Sequence, residues 1–262
     1  MSGLTALKVL GVGAFADGLP DWNAMAAFAR AEAGLVEGAP KKPAPSMLPA
    51  NERRRAPDSV LLALRVAEAA CEHAGADPAA LPSVFTSTHG DLAITDYMCA
   101  TLASAPTEVS PTRFHNSVHN AAAGYWTIGV GCHAPATAIS AFDASFAQGL
   151  IEAALQIAID GGPVLLVAYD SPAGGPLQHT STSAGLFGFA LVLDRADGAG
   201  LTLAPRMATG DCAEATGPLI EATAGNAMAP AARLAQALAR GEVTCELPAG
   251  RDSRLVLELR HG

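Results

Sequence analysis

Two histidines lie one helical turn apart in the segment His115-Asn-Ser-Val-His119. This is the spacing of the zinc-binding pattern H-E-x-x-H, in which two imidazoles hold the metal and a glutamate acts as general base. Asn116 takes the position of that glutamate, and no third ligand is evident nearby. We therefore predict no metal site. The two histidines are then interpreted as core residues, as helix caps or as part of the polar wall of a pocket.

A glycine pattern near the N-terminus, Gly11-x-Gly13-x-x-Ala16, superficially matches a dinucleotide-binding fingerprint. That fingerprint needs a helix that opens at once, with its N-terminus at the pyrophosphate. Here the turn-forming residues Asp17–Pro20 follow instead. The glycines are interpreted as part of a strand exit, and no cofactor is predicted. The sequence also contains neither a G-x-S-x-G elbow nor a G-x-x-x-x-G-K-[ST] loop.

The block 136–154 changes abruptly from strand-like to helix-like spacing. We predict a buried central strand over Ala136–Ala141 and a helix over Ser145–Ile159, joined by Phe142, Asp143 and Ala144. A helix N-terminus stabilises negative charge, and enzymes use this position to activate a cysteine nucleophile. No cysteine stands at this turn. Asp143 or Ser145 is therefore either a helix cap or part of an elbow that lacks its nucleophile.

Strands and helices alternate along the chain, which predicts a layered α/β fold with a largely parallel or mixed sheet. Apolar runs predict strands, and apolar residues at helical spacing predict helices. The predicted strands are Leu7–Ala16, Ser83–Thr88, Ala136–Ala141, Pro163–Tyr169, Gly188–Leu193, Leu201–Ala204 and Arg254–Leu259. The predicted helices are Asp58–Ala74, Asp91–Ala103, Asn116–Val130, Ser145–Ile159 and Ala229–Ala239.

Composition and charge exclude several classes of protein. Half of the 262 residues are hydrophobic, which rules out intrinsic disorder, and the net charge of −9 disfavours nucleic acid as the main partner. Five widely spaced cysteines indicate reduced thiols in a cytoplasmic protein. The N-terminus lacks the features of a secretory signal. The uncharged stretch Ala121–Phe142 is interrupted by His133 and Pro135, so we predict no membrane span.

The run Arg113–Leu155 resembles the N-terminal half of β-ketoacyl synthases, which belong to the thiolase-like superfamily. Its asparagine- and alanine-rich helix and its strand–turn–helix elbow carry the likeness, which extends over about residues 6–193. The chain resembles in particular the β-ketoacyl synthase-like N-terminal domain found beside aryl-polyene pathways, and chain-length factors. The resemblance implies a thiolase-like half, layered α/β with a mixed sheet of five-stranded type between helices. It implies one domain over 1–262, with 201–262 unassigned.

The likeness also implies a role without condensation. It places Asp143 in the slot of the catalytic cysteine, or Phe142 if the alignment shifts by one residue, and neither can carry an acyl thioester. The second, histidine-bearing half of a ketosynthase is not recognisable. We therefore expect an accessory, chain-length-factor-like subunit in fatty-acid, polyketide or aryl-polyene biosynthesis. The expected partners are a ketosynthase or a second copy, and an acyl carrier protein, with Tyr125 and Trp126 as either interface anchors or core aromatics.

Two other functions remain open from the sequence. The first is a small acyl-thioester hydrolase or acyltransferase that uses His115, His119 or Asp143 as general base. Its polar pocket would contain His115, His119, Asn120 and Ser145. The second is a module that binds an acyl chain or a carrier protein without turnover.

Overall fold

The strands of the computed structural model, which describes residues 4–260 and 262, form one mixed sheet. Its order is β3-β2-β4-β5-β1-β6-β8-β7. Strand β2 pairs in parallel with β3 and β4, and the other neighbouring strands pair antiparallel. The strands are β1 (Leu7–Ala16), β2 (Ser83–Thr86), β3 (Ala136–Ile139), β4 (Val164–Asp170), β5 (Phe187–Arg195), β6 (Thr202–Thr209), β7 (Thr244–Gly250) and β8 (Ser253–Arg260).

Helices cover both faces of this sheet and bury two apolar clusters. Helices α7 and α9 pack into one cluster, and α3 and α6 pack into the other. The central strand β4 is buried along its whole length because both of its faces are covered. The helices are α1 (Trp22–Ala29), α2 (Ala50–Arg55), α3 (Asp58–Ala74), α4 (Leu92–Ser104), α5 (Pro111–Asn116), α6 (Ala121–Val130), α7 (Ser145–Asp160), α8 (Pro218–Thr223) and α9 (Ala229–Arg240).

The glycines of the Gly11-x-Gly13 pattern let helix α3 approach strand β1 closely. A Cβ atom added to Gly11 would lie 2.2 Å from the carbonyl oxygen of Ala70, and one added to Gly13 would lie 2.0 Å from that of Val66. Any side chain at either position would push the helix off the strand. The pattern is thus a packing feature inside β1 and not the strand exit that the sequence suggested.

The C-terminal residues extend the sheet beyond five strands. Strands β1–β5 form the predicted five-stranded unit, and β6, β8 and β7 continue it past β1. Strand β7 packs against α7, where the side-chain amide of Gln148 donates to the carbonyl of Ala249 at 2.7 Å. The expectation that Ala229–Leu259 offers one helix and one strand was wrong, because it missed β7. Helix α9 and strand β7 together cover α7.

Two other element predictions are corrected by the structure. Strand β3 lies at an edge of the sheet and is not the buried central strand that its lack of charge suggested: Ala136 is exposed and its other residues are half-buried. The helix predicted over Asn116–Val130 is divided, since α5 ends at Asn116 and α6 begins at Ala121. The Ser117 hydroxyl donates to the carbonyl of Phe114 and helps to close that turn.

Among the residues described, no helix combines the length and the apolar character needed to cross a bilayer. The uncharged stretch Ala121–Phe142 contains α6, a loop and β3 instead of one helix.

Candidate functional site

A sharp turn connects the edge strand β3 to helix α7. Phe142 adopts φ = 57°, in the left-handed region that non-glycine residues avoid, and opens a single turn of 3-10 helix, Phe142–Ala144. The Ser145 hydroxyl donates to the Phe142 carbonyl at 2.6 Å and accepts from the Ala141 amide at 3.0 Å. Asp143 directly precedes Ala144, the N-cap of α7, as the prediction of a strand-to-helix elbow required.

The side chains of Phe142 and Asp143 are exposed and line a small cleft of about 260 Å³. The His89 ring meets the Phe142 ring edge to face, with 6.3 Å between centroids. The rest of the cleft comes from Thr88 and from residues 180–182 and 224–227. Hydroxyl groups, an imidazole and a carboxylate thus surround the elbow, and the phenyl ring of Phe142 also lines the cleft.

Beneath the cleft lies a buried carboxylate that the sequence analysis did not single out. Asp170, at the end of β4, accepts a hydrogen bond from the Ser87 hydroxyl at 2.6 Å and another from the Thr88 amide at 3.0 Å. Burial raises the pKa of Asp170, and the hydrogen bonds from Ser87 and Thr88 oppose that shift. The Asn226 amide donates to the Asp170 carbonyl at 3.2 Å. This network ties the loops that carry the cleft to the centre of the sheet.

The two histidines of the H-x-x-x-H segment do not face one another. His119 lies after the end of α5, and its Nε2 is 2.9 Å from the Ser87 carbonyl oxygen. The His115 ring stands 5.8 Å from the Tyr125 ring and lines a different cavity. Asn120 is exposed at the start of α6 and makes no side-chain capping bond. The pocket predicted from His115, His119, Asn120 and Ser145 is therefore not formed as one site.

The neighbouring aromatics Tyr125 and Trp126 occupy different environments. Trp126 is 1% exposed and packs in the apolar cluster with α3, so it is a core residue rather than an interface anchor. Tyr125 is half-buried on the wall of a groove. Burial raises the pKa of Tyr125, and a hydrogen bond with Asn116 opposes this effect. Successive helix residues point in different directions, which separates the pair.

None of the five cysteines lies at the elbow. Burial raises the pKa of Cys71 and of Cys245 to about 12, and it also raises that of Cys212. Cys132, the nearest in sequence, is buried and donates to the Leu81 carbonyl at 3.4 Å. No group of three His, Cys, Asp or Glu side chains in 4–260 is arranged to hold a metal ion.

A family model described as "Beta-ketoacyl synthase, N-terminal domain" matches residues 23–253. No curated protein sequence matches the chain.

Solved structures show the same architecture at low sequence identity. A chain of the ketosynthase ApeO in complex with its chain length factor ApeC, from Xenorhabdus doucetiae, is 22% identical, with a TM-score of 0.76 over 97% of this chain and 99% of that one. A chain of the ishigamide ketosynthase/chain length factor is 16% identical, with a TM-score of 0.74 over 98% and 99%. A chain of AntDE:AntF, described as a type II PKS acyl-carrier protein in complex with its ketosynthase, is 14% identical, with a TM-score of 0.70 over 99% and 100%. These likenesses confirm the predicted α/β class.

Proposed function

This chain belongs to the family of β-ketoacyl synthase N-terminal domains, and we propose that it is a non-condensing member. It acts as an accessory, chain-length-factor-like subunit of a ketosynthase in biosynthesis of fatty-acid, polyketide or aryl-polyene type. The observation that supports this proposal is the elbow, which has a strand–turn–helix geometry with no cysteine in the turn. The resemblance places Asp143 in the slot of the family's cysteine, or Phe142 if the alignment shifts by one residue. A carboxylate or a phenyl ring cannot form the acyl thioester on which condensation depends.

The three buried cysteines do not replace the missing nucleophile. A reactive thiol needs a depressed pKa and access to its substrate, whereas Cys71 and Cys245 are buried with raised pKa values. Cys132 lies between α6 and β3, where no helix N-terminus stabilises a thiolate. Condensation by this chain alone is therefore not expected.

The open edge of β3 offers a surface for a partner strand. The carbonyls of Pro135 and Ile139 accept hydrogen bonds from the amides of Ser83, at the start of β2, and of Ser87, which follows that strand. Because backbone groups of a strand alternate in direction, the amides and carbonyls of Ala136 and Ala138 face outward. We infer that a ketosynthase pairs with this edge, and that a second copy of the chain is the alternative partner.

The descriptions of the similar structures support this assignment. Two of them name a ketosynthase with its chain length factor, and a third names an acyl-carrier protein in complex with its ketosynthase. We propose that contact with an acyl carrier protein takes place in the assembled pair.

Intact-mass analysis tests the loss of the nucleophile. After incubation with an acyl thioester or with the ketosynthase inhibitor cerulenin, we expect no adduct on the wild-type chain. The Asp143→Cys variant should gain one adduct, because its thiol then precedes the N-cap of α7. Phe142→Cys serves as the matched comparison, since it tests the alternative alignment. A stoichiometric adduct on wild-type Cys132 would show that the nucleophile is present and was misplaced.

Acyl-thioester hydrolysis is the competing function, with His115, His119 or Asp143 as its general base. The contact between His119 Nε2 and the Ser87 carbonyl engages one ring nitrogen. We expect no hydrolysis of a panel of acyl thioesters. If the wild type hydrolyses an acyl thioester and the His119→Ala variant does not, the chain is a hydrolase and the accessory function is contradicted.

A further inference from the structure

The part of the chain around the open edge of β3 has no permanent positive charge. Residues 114–194, which include α6, β3, α7, β4 and most of β5, contain no lysine and no arginine. The acidic residues of the same stretch are Asp143, Glu152, Asp160, Asp170 and Asp194. A partner that pairs with β3 therefore meets elements whose fixed charges are all negative.

Helix α7 carries an acidic stripe beside β3. Glu152, Gln156 and Asp160 are spaced four residues apart, so they lie along one face of the helix. The side-chain amide of Gln156 donates to Oε1 of Glu152 at 2.8 Å and to the hydroxyl oxygen of Thr137 at 3.3 Å. Because Thr137 belongs to β3, these two bonds hold the Glu152 carboxylate next to the edge strand. The position of this charge is thus set within the chain itself.

No cation of the chain neutralises Glu152. The side chain is half-buried, and it takes part in none of the salt bridges among the described residues. Arg195, at the end of β5, is engaged elsewhere, since its guanidinium donates to the carbonyls of Ile157 and Ala158 at 3.3 Å and 3.1 Å. A half-buried carboxylate that is bonded only to a neutral amide keeps an uncompensated charge, which a cation of a partner can pair with.

Exposed apolar residues accompany the acidic stripe. On α7, Leu155 is 42% exposed and Ile159 is 78% exposed. On the opposite face of the sheet, Ile128 of α6 is 81% exposed. Both helices contact β3. Apolar side chains bordered by charged ones are the usual composition of a protein–protein interface, so the charge of Glu152 lies where a partner would bury it.

We propose that Glu152 selects the partner of the β3 edge, and that this partner is a ketosynthase with an arginine or lysine beside its own edge strand. The inference rests on the proposed pairing with a ketosynthase and adds the charge that decides which chain pairs.

A second copy of the chain is a poor occupant of the same surface. Two-fold pairing would place this surface against itself, so the acidic residues of both copies would share one interface. Residues 114–194 bring no lysine or arginine to that interface from either copy. Like charges that meet in an interface oppose association, which disfavours the self-pair and favours a partner with basic side chains.

Calorimetric titration with the β-ketoacyl synthases of the same genome tests this selection. Glu152→Gln keeps the size of the side chain and removes its charge, so it should weaken association by about tenfold. Glu152→Lys reverses the charge and should weaken association by about a hundredfold. Glu258→Gln and Glu258→Lys, at an exposed position on β8, are the matched controls and should bind within about twofold of the wild type. Thermal unfolding verifies that each variant is folded.

The salt dependence of association separates a lost charge from a merely altered shape. Raising the NaCl concentration from about 0.05 M to about 0.5 M should weaken binding of the wild type more than binding of Glu152→Gln, because ions screen the charge pair that the variant lacks. A Glu152→Gln variant with the affinity and the salt dependence of the wild type would overturn the proposal.

Failure of the charge selection differs from failure of the pairing itself. If Glu152→Lys binds a ketosynthase as tightly as the wild type does, Glu152 does not select the partner, although the pairing stands. If the wild type binds no ketosynthase, the proposed function is contradicted, and this inference falls with it.

Discussion

Phe142 combines an unfavourable backbone conformation with an exposed side chain. A left-handed conformation destabilises an L-residue by about 1–2 kcal/mol, and such strain persists where surrounding contacts impose it. Here the Ser145 hydroxyl bonds the carbonyl of Phe142 and the amide of Ala141. Since Phe142 is 62% exposed, burial of its ring offsets little of the strain energy of its backbone. The strain is therefore a property of the elbow itself.

A pair of substitutions measures this strain. Phe142→Ala removes the ring and keeps the strained backbone, whereas Phe142→Gly removes both. We expect the glycine variant to be more stable than the alanine variant by about 1 kcal/mol in urea unfolding, despite the greater entropy of glycine in the unfolded chain. An alanine variant as stable as the glycine variant would show that residue 142 is not strained.

The buried carboxylate Asp170 makes stability depend on pH. Burial raises its folded pKa above the unfolded value of about 3.9, so between those two values the folded chain binds more protons than the unfolded chain. The contribution of Asp170 to stability is therefore fully present below about pH 4 and is lost as the pH rises through its folded pKa. Asp170→Asn removes this dependence.

Urea unfolding at a series of pH values checks this sign. The free energy of unfolding of the wild type, minus that of Asp170→Asn, should fall as the pH rises above about 4. Asp160→Asn, at an exposed position, provides the control. A difference that is constant with pH, or that grows as the pH rises, would contradict the inferred shift.

The edge strand β3 is the element on which the pairing proposal depends. Proline cannot donate a backbone hydrogen bond, but an edge strand tolerates it where the N–H faces outward. Ala138→Pro should therefore leave the fold intact and reduce association with a ketosynthase by about tenfold or more. Ala138→Val, which keeps the N–H, is the matched control, and binding is measured by co-purification and calorimetry. Undiminished binding by a folded Ala138→Pro variant would exclude pairing through this edge.

Elements with strong local patterns could be predicted from the sequence. Strand β1 and helix α3 have the predicted limits, because their apolar spacing is unambiguous and Gly75 ends the helix with φ = 61°. Strand β7 could not be found in this way: Glu246 and Pro248 give it the pattern of a loop, and its pairing with β8 depends on contacts with the assembled sheet.

The candidate site was only partly predictable for a similar reason. The elbow is contiguous in sequence, so its change of periodicity is visible. The bond between Ser87 and Asp170 joins residues 83 positions apart, and nothing local marks either one. The break before α6 also escaped prediction, because the alanine-rich segment favours a continuous helix, while His119 contacts the Ser87 carbonyl in the folded chain.

Residues 201–262, which the resemblance left unassigned, cover part of helix α7. Strand β7 and helix α9 bury the surface of α7. Leu155 and Ile159 on the same helix nevertheless remain exposed, at 42% and 78%. Ile128 is 81% exposed on α6. The edge at β3 and the exposed apolar residues of its neighbouring helices thus form one surface that remains uncovered among the described residues.

Native mass spectrometry of the purified chain, alone and mixed with the β-ketoacyl synthases of the same genome, tests whether the chain pairs with a ketosynthase. We predict a complex with one copy of this chain and one of a ketosynthase, formed by the wild type and by Ala138→Val. A chain that stays monomeric, or that forms only a complex with itself, in the presence of every ketosynthase would contradict the assignment as an accessory subunit.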